Sequence, residues 1–402
     1  MPLTLPPMPR SRLIIIGVAL LVVVILALVF TGVIPGLRRS GGPASKPLTF
    51  WGVFDDPQTV AEVIAATGYP VTYRRFDIAD YESALINALA AGTGPDLFMI
   101  HSSWLPKYVD KITPAPASVV SAAVVRELYP TVVEQDFAPE TNVYALPLYL
   151  DTLALLYNRD LFDSNGIALP PATWADFEKL IPALRRLDAG GKLELAAAAI
   201  GGARNVNRAP DLLSVLMLQA GTQMVTSDFS RAAFADAQGE SALAFYTSFA
   251  NPVSPSYTWS DNFVNSLDGF AEGKVAMIFN YAYQIPTLLT KNPLLRIGVA
   301  PLPQPEQATL EVNYANYWGI AVSNRSKDLS GAWRFAASLA VTESTAQRYA
   351  NRTGRLPALR TLLDRMLADG KWGVFATQAL SARSWPQVDN AAVEAAFAKA
   401  IT

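Results

Sequence analysis

Residues 144–160 read YALPLYLDTLALLYNRD. In the first half Leu146, Leu148 and Leu150 alternate with Pro147 and Tyr149, a period of two that predicts an exposed, proline-bounded extended segment. In the second half Leu153 to Tyr157 is unbroken apolar sequence, the pattern of a strand buried on both faces. Asn158, Arg159 and Asp160 then break the run. A chain that changes from an exposed to a buried strand over so short a span leaves one hydrophobic core and enters another. Asp151 stands at the change, which puts it on the floor of a cleft between two lobes.

On the N-terminal side the order is strand (48–54), helix (58–66), strand (71–76), helix capped by Asp80 and closed by Gly92, and strand (97–100). That alternation predicts an α/β layered domain with a largely parallel sheet. On the C-terminal side Thr173 and Asp176 form a capping box. The helix that follows buries Trp174, Phe177, Leu180, Ile181, Leu184 and Leu187, kinks at Pro182, and stops at Gly190-Gly191. Strands are expected over 195–200, 275–279, 297–302 and 318–323, and helices over 211–220, 241–250, 261–272, 329–340 and from Ser344 to near Gly354. The resulting division places 48–150 with 286–340 in one lobe and 151–285 with 341–402 in the other.

Composition limits the function classes. Of 402 residues, 51% are hydrophobic and 16% charged, as in a well-cored protein with one very apolar segment. There is no cysteine, which removes disulfides and thiolate chemistry, and the single histidine removes a multi-histidine metal site. No cofactor is expected. The apolar segment is 13–34, LIIIGVALLVVVILALVFTGVI, uncharged and long enough to span a bilayer as a helix. No small-x-small site follows it before Pro35, so an uncleaved anchor is expected over 1–47, with SGGPASKP (40–47) as linker. Basic residues flank the segment on both sides, which leaves its orientation open. Five of the 32 basic residues and none of the 34 acidic ones precede position 47, so the remainder is net acidic and has no basic stripe for nucleic acid.

In an open α/β sheet a ligand lies beyond the carboxyl ends of the strands. That rule nominates Asp55 and Asp56 after the first strand, and His101, Ser103 and Trp104 after the third. It adds Tyr149 and Asp151 at the crossover, Arg204 after the strand over 195–200, and Asn280, Tyr281 and Tyr283 after the strand over 275–279. Tyr317 precedes the last strand, and Trp385 stands in a loop. Aromatic rings mixed with Asp, Asn and Arg suit a polyhydroxylated ligand: its C–H faces lie on rings, and its hydroxyls need donors and acceptors. Each candidate has a plainer role open to it. Asp55 and Asp56 also fit a turn or a helix cap, His101 a local hydrogen bond, and Trp385 packing under the C-terminal tail. The passage 269–275, GFAEGKV, lacks the spacing and hydroxyl of a phosphate loop. Asp55 with Asp151 forms the one carboxylate pair that could serve an alternative function, that of an anchored glycan-active hydrolase.

Several passages together resemble the maltose-binding type of bacterial extracellular solute-binding proteins. They are ALPLYLDTLALLYNRDLFD (145–163) followed by PPATWADF (170–177), ALAAGTGPDLFMI (88–100), GFAEGKVAMIFNYAYQIP (269–286), YWGIAVSNRSKDLSGAWRFAASLA (317–340) and NRTGRLPALR (351–360). The likeness covers residue 48 to the C-terminus. It implies a two-lobed, type II periplasmic-binding-protein-like α/β fold behind an N-terminal transmembrane helix. It also implies a monomer outside the cytoplasm that closes on a mono- or oligosaccharide and hands it to the permease subunits of an ABC importer. In sugar-binding members the crossover carboxylate and two aromatics touch the ligand, and these map to Asp151, Trp104 and Tyr283. Tyr283 stands where many such proteins carry Trp, and the cleaved or lipidated signal usual in the family is not apparent here.

Overall fold

The computed structural model describes residues 46–370 and 372–402, so the apolar run over 13–34 and its expected spanning helix lie outside the described residues. Among the described residues no helix is long and apolar enough to cross a membrane.

Two five-stranded sheets carry the fold. The first uses β1 (Leu48–Val53), β2 (Val71–Phe76), β3 (Leu97–His101), β4 (Ala145–Pro147) and β12 (Trp318–Val322), in the order β2-β1-β3-β12-β4. The pairs β1–β2 and β1–β3 are parallel, and β12 runs antiparallel between β3 and β4. The second uses β6 (Ala154–Asn158), β7 (Arg186–Leu187), β8 (Leu193–Ala198), β9 (Val275–Asn280) and β10 (Ile297–Ala300), in the order β10-β6-β9-β8-β7. A short sheet of β5 (Asp151–Thr152), β11 (Asn313–Asn316) and β13 (Ala382–Arg383) is built where the chain passes between them. The helices that matter below are α1 (Pro57–Thr67), α2 (Ile78–Ala90), α3 (Thr131–Phe137), α4 (Trp174–Leu184), α5 (Ala209–Gln219), α6 (Gln284–Lys291), α7 (Leu329–Ala340), α8 (Glu343–Thr353) and α9 (Asn390–Ile401).

Each sheet has its own apolar core, the first around Phe50, Phe98 and Ile320, the second around Leu155, Phe177 and Met277. The change of core falls within 150–153, as the sequence pattern requires: Leu150 belongs to the first and Leu153 to the second. The first half of the crossover is not exposed, however. Leu146, Leu148, Tyr149 and Leu150 are all buried. Although β4 is the edge strand, α3 and α7 pack against it, so its alternating pattern does not mark a solvent face.

The return crossing comes later than expected. Residues 286–312 belong with the second lobe, because β10 pairs antiparallel with β6 and Leu288, Leu295 and Leu302 fill the second core. The chain goes back only through β11 into β12. The C-terminal portion is shared between the cores. Tyr349, Leu362 and Leu363 join the first core, with α8 packed on α1, whereas Trp385, Phe397 and Ile401 join the second.

The Thr173–Asp176 box is present, with the Asp176 N–H donating to Thr173 Oγ1 at 3.1 Å. Helix α4 accommodates Pro182 but ends at Leu184, and Leu187 lies in β7, hairpinned to β8 around Gly191 at φ 81°. The N-cap of α2 is Asp77, with Asp80 in its first turn. The helix expected over 261–272 is only Ser266–Ala271, started by the Asn265 side chain.

Gly319 sits where β12 meets β4, opposite Pro147. A Cβ there would lie 2.5 Å from the Phe137 ring and 2.6 Å from the Leu146 carbonyl oxygen, a backbone atom that cannot swing away. Gly319→Ala is therefore expected to destabilise the chain by about 1–3 kcal/mol, the usual cost of overpacking. Urea unfolding followed by circular dichroism checks this; an unchanged midpoint would contradict the packing of β4 on β12.

Candidate functional site

A cavity of about 870 Å³ opens between the lobes, lined from both sides. Its wall on the first lobe is aromatic. Trp104 follows β3 and Trp318 opens β12; their rings meet edge to face at 5.0 Å, and Trp104 also stacks on Tyr108 at 5.6 Å. Phe54, just past β1, packs edge-on against Trp318 at 5.6 Å and remains 44% exposed, a large apolar side chain facing open space. Its backbone is left-handed, φ 66°, a conformation that L residues adopt at a cost. The Arg355 guanidinium lies over the Tyr149 ring at 4.3 Å and over the Phe54 ring at 5.4 Å, a cation held on two aromatic faces.

The facing wall is more polar. Arg208 stands before α5, again left-handed at φ 64°, and donates through Nη2 to the Tyr283 hydroxyl. Tyr283 stacks on Tyr281 at 5.8 Å. Asp211 on α5 and Glu394 on α9 also line the space, with Trp385 beside them. The Trp385 ring is packed in the second core against Phe397 of the C-terminal helix, and its indole N–H donates to Ser214 Oγ at 3.3 Å, so packing under the tail is its structural role.

His101 lines the cavity in its neutral form, since burial lowers its pKa to about 4. Its Nε2 lies 3.3 Å from Asn316 Oδ1, and its Nδ1 lies 2.8 Å from Ser103 Oγ. Ser103 Oγ is in turn 3.2 Å from Asn390 Oδ1, and the Gln387 N–H donates to the Ser103 carbonyl at 3.0 Å. Those contacts tie the end of β3 to the start of α9 across the gap.

Asp151 does not stand among the lining residues. It is buried and accepts from the N–H of Thr152 at 2.8 Å, Ala282 at 3.2 Å and Tyr283 at 3.3 Å. Burial pushes its carboxyl up to about 7, while the three N–H groups pull it back. The carboxylate thus holds the turn that presents Tyr283, and its place is under the cleft wall, not on an open floor. Asp55 is likewise enclosed, accepting from Arg355 Nε at 2.8 Å and from the Tyr349 hydroxyl. Asp56 caps α1 through the Thr59 N–H at 2.9 Å. Asn280 donates to Asn207 Oδ1 at 2.8 Å, Tyr281 donates its hydroxyl to Asp211 at 2.8 Å, and Tyr317 donates its hydroxyl to Asp136 at 2.6 Å inside the first lobe. Arg204 lies in a separate shallow depression with Lys399 and Thr402.

Of the residues nominated from sequence, the fold brings His101, Ser103, Trp104, Tyr149, Tyr283 and Trp385 to the cavity. Asp55 and Asp151 do not form a carboxylate pair facing it, which removes the geometric basis of the hydrolase alternative. Phe54 was weighed at the end of the first strand but not chosen, and Arg208, Asp211, Trp318, Arg355 and Glu394 were missed. Trp318 reads as a strand residue. The left-handed turns at Phe54 and Arg208 have no glycine to announce them.

The sequence profile of the bacterial extracellular solute-binding protein family matches residues 58–374. A binding protein of Brucella abortus is 24% identical over 301 residues, which span 69% of each chain. Among solved structures, the sugar-binding protein MalE from Xanthomonas citri superposes with a TM-score of 0.73 at 20% identity, over 88% of this chain and 91% of that one. An ABC transporter solute-binding protein from Thermotoga lettingae, bound with alpha-D-tagatose, gives a TM-score of 0.70 at 21% identity, over 89% and 94% of the two chains.

The enclosed Asp151 predicts a pH dependence. Its folded-state pKa, about 7, lies above the ordinary carboxylate value, so the folded chain holds this proton more tightly than the unfolded chain does. The stability it contributes is full below the ordinary carboxylate range and is lost as pH rises through about 7. Asp151→Asn removes that slope. The depressed His101 acts in the opposite sense in both proteins and cancels in the comparison. Urea unfolding at pH 5 and pH 8 should show wild type losing more stability than Asp151→Asn across the interval; equal losses would contradict the assignment.

Proposed function

The chain belongs to the bacterial extracellular solute-binding protein family, and we propose that its solute is a carbohydrate, captured between the lobes and delivered to an ABC importer. The observation that carries this reading is the cavity itself. Trp104, Trp318, Phe54 and Tyr283 offer ring faces or edges, while Arg208, Asp211, Asn316 and Glu394 offer donors and acceptors around them. Sugar rings have both kinds of surface, apolar C–H faces and a rim of hydroxyls that donate and accept. The volume is within the range of pockets that bury a small ligand, roughly 300–1,000 Å³. The structural neighbours carry the same suggestion, since one is a sugar-binding protein and another holds a sugar.

Phe54 is the residue with which to test the reading, because it is the exposed aromatic of the cavity wall and is not itself a member of the core. A sugar stacked there gains about 0.5–1.5 kcal/mol beyond buried area, a several-fold effect on affinity. A thermal-shift screen against a sugar panel, followed by titration calorimetry, is expected to find a binder and to find it weakened several-fold in Phe54→Ala at unchanged Tm. A panel that leaves the Tm of the wild-type chain unmoved would overturn the carbohydrate reading.

For delivery the soluble part must work outside the cytoplasm and near its permease. The apolar run over 13–34 supplies a means, as an uncleaved single-pass anchor. Mass analysis of chain extracted from membranes should recover peptides from within 13–34; a mature chain beginning after Gly36 would overturn the anchor.

A further inference from the structure

The polar corner of the cavity carries more information than its size. Three charged residues converge there: Arg208, Asp211 and Glu394. The other charged lining residues have partners set back from the cavity, Arg355 with Asp55 at 2.8 Å and Glu82 with Lys107 at 2.8 Å. At the corner one guanidinium faces two carboxylates, with Arg208 Nη1 3.9 Å from Asp211 and Glu394 close enough to bias the Arg208 charge. The Arg208 guanidinium is also held over the Tyr281 and Tyr283 rings, at 5.6 and 5.7 Å. Nη2 is spent on the Tyr283 hydroxyl and Nε is covered by the protein, but Nη1 makes no hydrogen bond, its 3.9 Å approach to Asp211 being too long for one, and it is not among the covered atoms. A ligand oxygen that enters the corner therefore meets a guanidinium donor with no protein acceptor on it.

We propose that this corner reads two adjacent hydroxyls of an uncharged sugar, with Arg208 as the residue that sets specificity; the inference rests on the carbohydrate reading above. One hydroxyl oxygen accepts from Arg208 Nη1–H, and its neighbour donates to Glu394 or Asp211. A hydroxyl can do both, and adjacent hydroxyls present an acceptor and a donor side by side. Arg suits the role because its donors sit in a rigid planar fork, which the Tyr281–Tyr283 stack holds in place here. An anionic sugar, such as a uronate, meets a corner with one more negative than positive group and is rejected, because like charges brought together out of water repel strongly. Burial raises the carboxyls of both Asp211 and Glu394, so a donating hydroxyl also relieves them. The left-handed backbone at Arg208 is consistent with a side chain placed for contact at some cost to the fold.

The test uses titration calorimetry on the full chain with maltotriose, mannobiose and D-tagatose as uncharged probes and digalacturonic acid as the anionic one. Arg208→Lys keeps the positive charge beside Asp211 but lacks the guanidinium fork. Its affinity for the bound probe should fall about tenfold or more while circular dichroism shows the chain still folded at the titration temperature. Glu394→Gln, at the rim of the corner, should weaken the same probe several-fold, and digalacturonic acid should not bind the wild-type chain. Wild-type affinity retained in Arg208→Lys, or digalacturonic acid bound as tightly as an uncharged probe, would overturn the inference and leave the carbohydrate reading standing. Failure of every uncharged probe on the wild-type chain would remove the carbohydrate reading and this inference with it.

Discussion

A buried carboxylate that serves backbone N–H groups is the constraint on which this cleft depends. Asp151 lies in β5, in the short sheet between the lobes, and its partners Ala282 and Tyr283 follow β9 of the second lobe. Taking an ionised carboxyl out of water is costly unless its oxygens are satisfied, and here three N–H groups do so. In return the segment 280–283 is fixed against the crossover, which sets where Tyr283 stands relative to the first lobe. The geometry of the cavity wall is thereby coupled to the strand along which the chain changes lobes.

A second enclosed network does the same on the first lobe. Asp55 accepts from Arg355 and Tyr349, and Arg355 covers the rings of Tyr149 and Phe54. This joins the end of β1 to the turn after α8, segments far apart in sequence. Removing either member would leave a buried charge alone, which is far more costly than the net worth of the pair. Both carboxylates singled out as ligand or catalytic groups are therefore supports, and the groups they support, Tyr283 and Arg355, line the cavity.

Much of the architecture was legible because it depends on local patterns. The strand–helix alternation over 48–100, the capping box at Thr173 and the change of core at 150–153 all follow from side-chain period and hydrogen-bonding type. The return crossing was not legible. Whether β10 follows β6 or joins the first sheet depends on which partner it meets, and IGVA reads equally well in either place. The site was half legible for a similar reason. The carboxyl ends of strands point to Trp104 and Tyr283, but nothing in the order of residues separates a carboxylate that faces the cavity from one that faces backbone N–H groups. Its place at the crossover and the family resemblance nominated Asp151, and burial reassigned it.

The backbone at Phe54 and Arg208 bears on the same division between support and contact. Both are left-handed, both line the cavity, and they come from opposite lobes. Such a conformation costs an L residue on the order of 1–3 kcal/mol when the surroundings impose it. Glycine would remove the cost at either position, as it does at Gly68 and Gly354, where α1 and α8 end. At those helix ends no side chain is needed, and the chain uses none. At Phe54 and Arg208 a large side chain is retained in the same strained geometry, and both side chains reach the cavity. Each also has a partner in its own lobe, Trp318 for Phe54 and Tyr283 for Arg208, so the strained backbone aims a side chain that packs on its lobe and faces the space between the lobes at once.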